Sequence, residues 1–174
     1  MRAAALLLIA TACPALLPAQ AVPLSQLASV RQRVATTDIS VEYRRPTARG
    51  RTLFGPAGVV RPGRVWTPGA DSATRLVVSR DVEVAGHPLK AGRYSLWMIP
   101  QSSGPWTLIV SDQPDLFHLD YPGETHDVFR AQVQPDSGAW MDALAFYFPV
   151  VASDSTVLRL HWGTTILPFT IRTR

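Results

Sequence analysis

From Asp81 to Ser111 the chain reads DVEVAGHPLKAGRYSLWMIPQSSGPWTLIVS, and no other stretch constrains the fold as much. Val82 and Val84 flank Glu83, a period of two that belongs to a strand. Ala85-Gly86-His87-Pro88 interrupts it, because Gly86 tolerates positive φ and Pro88 has no backbone donor. After Ala91-Gly92, Tyr94, Leu96 and Met98 point one way, while Arg93, Ser95, Trp97 and Ile99 point the other. Pro100 ends that run and Ser102-Ser103-Gly104-Pro105 turns the chain. Trp106, Leu108 and Val110 then alternate with Thr107, Ile109 and Ser111. This is the pattern of a β-meander at the centre of an all-β fold.

The flanking sequence follows the same rule. Val30 and Val34 share a face in a strand expected over Ser29–Val34. Ile39, Val41 and Tyr43 form the inward face of the next, after a turn at Ala35-Thr36-Thr37-Asp38. Further strands are expected over Thr74–Ser79, Val128–Val133, Leu144–Val151, Thr156–Trp162 and Ile166–Ile171. Turns are expected at Asp136-Ser137-Gly138, Ser153-Asp154-Ser155 and Gly163. No segment carries a helical period. About ten short strands imply one antiparallel β-sandwich of jelly-roll type, with a closed barrel as the alternative.

Bulk composition supports one domain. The 174 residues are 47% apolar and 17% charged, which excludes a disordered chain. The net charge of +4 is almost wholly arginine, since Lys90 is the only lysine and asparagine is absent. Lysine and asparagine share AA-starting codons, so a GC-rich genome accounts for both, and no nucleic-acid-binding motif is present. Met1-Arg2, the apolar run from Ala3 and the Ala19-Gln20-Ala21 site read as a signal peptide, expected over 1–21 with a domain over 22–174. Pro14 and Pro18 interrupt a run already too short to span a bilayer. The expected location is the periplasm or the medium. Lipid attachment at Cys13 is the less favoured route, because Ala10-Thr11-Ala12 is a poor lipobox. The cleaved chain would hold no cysteine and so no disulfide or thiolate.

Several motifs together resemble a bacterial family of unknown function, DUF2911. Val41-Glu42-Tyr43-Arg44-Arg45-Pro46 with Gly50-Arg51 is similar to its YSRP…KGR opening. Val65-Trp66, Gly69-Ala70-Asp71 and Ala73-Thr74 resemble its VWRTGANEAT segment. Leu89, Ala91-Gly92, Tyr94-Ser95-Leu96, Pro100 and Trp106-Thr107 resemble its LPAGTYSLFTIP…WT core, and Trp162 and Pro168-Phe169 its end. His126-Asp127 falls near a Lys-Asp pair of the family. Thr67-Pro68, Asp71 and Ser111 depart from the pattern. The resemblance implies an exported β-rich domain and no established activity.

Two long loops hold the candidate site residues. Pro46–Gly63 and its borders carry Arg44, Arg45, Arg49 and Arg51, whose forked guanidinium groups suit a phosphate, sulfate or carboxylate. A plain solvated loop is the competing reading. Asp112–Asp127 carries His118, Asp120, His126 and Asp127. His118, Asp120 and His126 are weak metal-ligand candidates without a recognised spacing, so neither metal nor cofactor is expected. His126 and Asp127 form a candidate base and orienting partner for a hydrolase, with Arg51 as anion stabiliser. The competing role for Asp127 is an ion pair with an arginine such as Arg45 or Arg51. Trp66 and Trp140, beside turns, are candidates for a sugar-stacking platform. The favoured function is a non-enzymatic envelope module. It would bind an anionic or carbohydrate small ligand or an envelope component, on a face formed by Arg44–Arg51, Trp66–Asp71 and Asp112–Asp127.

Overall fold

The computed structural model describes residues 23–173. The expected signal peptide and Cys13 lie outside the described residues. Ten strands are present: β1 (Gln26–Val34), β2 (Thr37–Arg45), β3 (Thr74–Val78), β4 (Val82–Val84), β5 (His87–Leu89), β6 (Gly92–Ile99), β7 (Trp106–Ser111), β8 (Asp127–Val133), β9 (Asp136–Val151) and β10 (Ser155–Thr173). They form a six-stranded sheet, β1-β2-β3-β6-β7-β8, and a four-stranded sheet, β5-β4-β10-β9. Every pairing is antiparallel, and neither sheet closes on itself, so the fold is a β-sandwich and the barrel alternative falls.

The period-two faces meet between the sheets. Ile39, Val41 and Tyr43 of β2, Leu76 and Val78 of β3, and Tyr94, Leu96 and Met98 of β6 are buried there. They pack with Leu144 and Phe146 of β9 and Leu158, Leu160 and Trp162 of β10. The β4–β5 turn uses Ala85 (φ 49) and Gly86 (φ 82), the double positive φ of a type I′ hairpin.

β6 is buried on both faces, because its other face has its own small core. Trp97, Ile109 and Ala73 are buried on the outer side of the large sheet, covered by Ile99, Leu116 and Tyr121. The loop 112–126 therefore lies down on that sheet face.

Several boundaries differ from expectation. β1 begins at Gln26 rather than Ser29. β9 begins at Asp136, because Asp136 and Ser137 already pair with Ile166 and Thr165. A short 3-10 turn spans Glu124–His126. β10 is one run of 19 extended residues, yet the Thr173 amide donates to the Asp154 carbonyl at 2.8 Å. A straight strand of that length would hold its ends roughly 60 Å apart. The run therefore doubles back, and Gly163 (φ 60), where the register against β9 also shifts, is where it can do so.

The loop 46–63 closes one end of the sandwich. The Pro46 carbonyl accepts from Leu144 N at 2.9 Å, Ala48 N donates to Asp142 O at 2.9 Å, and Gly63 N donates to Pro100 O at 2.8 Å. Leu53 and Val60 are buried, and the Phe54 ring lies against Trp66, Trp106 and Trp162.

Thr67 joins this end to β6. Its side chain is fully buried; Oγ1 donates to Leu96 O at 2.9 Å and accepts from Thr74 N at 3.0 Å. Thr74 Oγ1 in turn donates to Pro68 O at 2.8 Å. Thr67→Val keeps the shape but strands a buried amide and a carbonyl, so it should cost about 1–3 kcal/mol. A urea midpoint equal to that of the parent would show that the knot contributes nothing.

Candidate functional site

The site grows from two strained turns. At Ala48–Arg51, Arg49 (φ 51) and Gly50 (φ 69) both take positive φ, and Arg51 N donates to Ala48 O at 3.0 Å. An arginine in this region carries a strain of order 1 kcal/mol, held only where surrounding contacts enforce it. Arg51 supplies those contacts, since its Nε donates to Ala48 O at 3.0 Å and a terminal nitrogen to Thr47 O at 2.8 Å. Arg51 is thus mainly a brace for the turn. Arg49 is exposed and makes no hydrogen bond or ion pair among the described residues.

The second turn follows Trp66, whose backbone pairs both ways with Met98. Asp71 has φ 58, and its carbonyl accepts from His118 N at 2.9 Å. The same carbonyl lies 3.1 Å from His118 Nδ1. A carbonyl only accepts, so Nδ1 carries the proton and Nε2 has no partner among the described residues. Ala73 N to Leu116 O at 2.9 Å completes the seam between the two loops.

Together the three segments enclose an open cleft of about 280 Å³, lined among others by Arg49, Arg51, Trp66, His118, Leu119 and Trp162. Trp66 is partly buried and stacks on Trp162, with centroids 6.2 Å apart and planes 16° from parallel. Trp162 is fixed in turn by its Nε1 donating to Asp142 O at 3.0 Å. A rigid aromatic wall thus faces a free guanidinium and an oriented imidazole.

Of the expected site residues, Arg49, Arg51, Trp66 and His118 line this cleft, and Asp71 holds His118 through its backbone. Arg44 and Arg45 do not line it. Arg45 Nε donates to Leu144 O at 2.9 Å, tying β2 to β9, and Arg44 Nε is buried without a partner. Asp120 is exposed. No group of three or more His, Cys, Asp or Glu that could hold a metal exists among the described residues, so His118, Asp120 and His126 are not gathered as ligands. Trp140 is 59% exposed and also lies off the cleft. Sequence reasoning missed the apolar rim of Val59 and Leu119, which carries no motif.

His126 and Asp127 face different partners. His126 Nδ1 lies 3.0 Å from Asp112 Oδ1 and 3.3 Å from Gln113 Nε2. The Asp127 side chain is only 7% exposed; it accepts from Arg130 Nε at 2.6 Å and from the Tyr121 hydroxyl at 2.7 and 2.8 Å. Burial, and then the Asp127 carboxylate, push the Tyr121 phenol up, so it stays a donor. The ion pair expected with Arg45 or Arg51 is instead made with Arg130. A regular strand would place residues three apart on opposite faces. Here the β7–β8 register shifts between Val110 and Ser111, opposite Phe129 and Asp127, and that offset accommodates the pair.

A larger cleft of about 480 Å³ lies elsewhere, beside the Ala85-Gly86 turn and the end of β8. Arg159 is the only charged side chain in its lining. Pro168-Phe169 of the motif set lines it, but neither of the two long loops that carry the candidate residues reaches it.

A family model described as a protein of unknown function (DUF2911) matches residues 25–171. The chain belongs to the DUF2911 family. No curated protein and no solved structure matches it. In this DUF2911 chain the motifs that carried the resemblance divide by place. Tyr94-Ser95-Leu96 and Trp106-Thr107 build strands of the large sheet, whereas Gly50-Arg51, Trp66 and Asp71 build the cleft. The departures are structural where their contacts are visible. Thr67 is the buried knot, and Ser111 is buried with Oγ accepting from Gln113 N at 3.3 Å.

Proposed function

We propose that this DUF2911 domain is an exported envelope module that binds a small anionic ligand in the Arg49–Trp66–His118 cleft without transforming it. The observation that carries the reading is the convergence of three separate loops on one open cleft. That cleft holds an exposed, unpartnered Arg49 and a His118 ring fixed by Asp71. Strain at Arg49 and Asp71, on two of the converging loops, fits a functional surface. The hydrolase reading loses its support, because His126 pairs with Asp112 while Asp127 is engaged by Tyr121 and Arg130.

A fragment library of small acids and neutral analogues, screened by ligand-observed NMR, tests the binding role. Hits should be acids, and they should disappear with Arg49→Gln, an exposed change that leaves the fold intact. Hits that survive Arg49→Gln unchanged would overturn the assignment of the cleft. Export has a separate test in the native host. Mass spectrometry of the fractionated protein should find a mature chain beginning at Val22 outside the cytoplasm. A full-length cytoplasmic chain would contradict it.

A further inference from the structure

The lining of the cleft narrows the ligand further, on the assumption that the cleft is the binding site. Sugar hydroxyls are donors as well as acceptors, and saccharide sites must therefore present acceptors, usually side-chain carboxylates and amides. Among the cleft's lining residues there is no Asp, Glu, Asn or Gln. The Asp71 carbonyl, an acceptor near the rim, already receives the His118 backbone amide and ring. What remains is Arg49 and Arg51, with the Ser25 hydroxyl and the His118 ring, beside an apolar wall that includes Trp66, Leu119 and Trp162. A polyhydroxylated ring would lose water from its many donors and find only the Ser25 hydroxyl and His118 Nε2 as side-chain acceptors. An apolar planar body would stack along Trp66 and exclude water at the Leu119 rim. Its single negative end would meet the Arg49 guanidinium.

We infer that the ligand is a small carboxylate with an aromatic or otherwise apolar body, and not a saccharide. At about 280 Å³ the cleft is at the small end of ligand sites, which run from roughly 300 to 1,000 Å³. It has room for one or two fused rings rather than a chain of them. Among the described lining residues no nucleophile is hydrogen-bonded to a base, which fits an acid that is held and released.

The test is isothermal titration of the mature chain with 2-naphthoate, 2-naphthylmethanol and glucuronate. Naphthoate should bind at least ten-fold more tightly than the alcohol, and glucuronate should bind no better than the alcohol. Arg49→Gln should remove the advantage of the acid. Trp66→Leu should weaken acid and alcohol alike; if that variant fails to fold, Leu119→Ser at the exposed rim serves the same purpose. Tighter binding of glucuronate, abolished by Arg49→Gln, would overturn the ligand class and leave the cleft as the site. Naphthoate binding that ignores both Arg49→Gln and the apolar variants would overturn the class and the cleft together. No heat from naphthoate at millimolar concentration, with a folded protein, would also overturn the inference.

Discussion

Trp97→Ala should destabilise the domain by about 3–5 kcal/mol, the usual cost of emptying a buried tryptophan site. Trp97 is 1% exposed, yet it does not belong to the core between the sheets. It sits on the outer face of β6 with Ile109 and Ala73, under Leu116 and Tyr121. Its ring meets Tyr121 edge-on, with centroids 5.4 Å apart. Its Nε1 donates to Ser95 Oγ at 2.8 Å, and Ser95 Oγ donates onward to Gln113 O at 2.7 Å. Removing the indole opens a cavity and also loosens the loop that carries His118. The alanine variant should therefore lose ligand affinity as well as stability, while Trp97→Phe keeps most of both. Denaturant titration of the two variants decides it. A near-parental midpoint for Trp97→Ala would mean that the loop does not rest on this ring.

Asp127→Ala should cost about 2–3 kcal/mol, the range for losing charge-assisted hydrogen bonds at a buried group. The carboxylate is 7% exposed, and its loss leaves the Tyr121 hydroxyl and Arg130 Nε without their acceptor. The estimate stays below the 3–5 kcal/mol of a fully buried pair, on the order of which such breaks cost, because Arg130 is one-third exposed and also reaches Glu124. Asp127→Asn should recover part of the loss, since an amide oxygen still accepts from Tyr121. Thermal melts of both variants provide the check. A melting temperature unchanged in Asp127→Ala would remove the structural role given to this residue.

The strand layout was legible because burial alternates with the side chain. Ile39-Val41-Tyr43 and Leu158-Leu160-Trp162 announce their faces without reference to any partner. The second core was half legible: Trp97 and Ile109 appear as apolar residues on the opposite face of their strands, but nothing local says that Leu116 and Tyr121 cover them. The start of β9 was hidden, since Asp136-Ser137-Gly138 has turn chemistry and is extended only because Thr165 and Ile166 lie alongside. Site residues divided in the same way. Arg49, Arg51, Trp66, Asp71 and His118 stood out by type, and the loops that bear them do converge. Which arginine meets Asp127 depended on the β7–β8 register shift, a long-range feature without a local signature. Arg45 looked like a ligand group and is a brace, because guanidinium groups serve carbonyls and anions equally well.

The central claim, that the Arg49–Trp66–His118 cleft is where this domain meets its ligand, is tested most directly by a proton–nitrogen NMR spectrum. The five tryptophans give five indole signals, one assignable to Trp66 through a Trp66→Phe variant. On addition of 2-naphthoate the Trp66 indole and the His118 amide should shift together and saturably, while the buried Trp97 indole stays in place. Shifts confined to Trp140, or to Gln134 and Thr170 around the Arg159 cleft, would contradict the account.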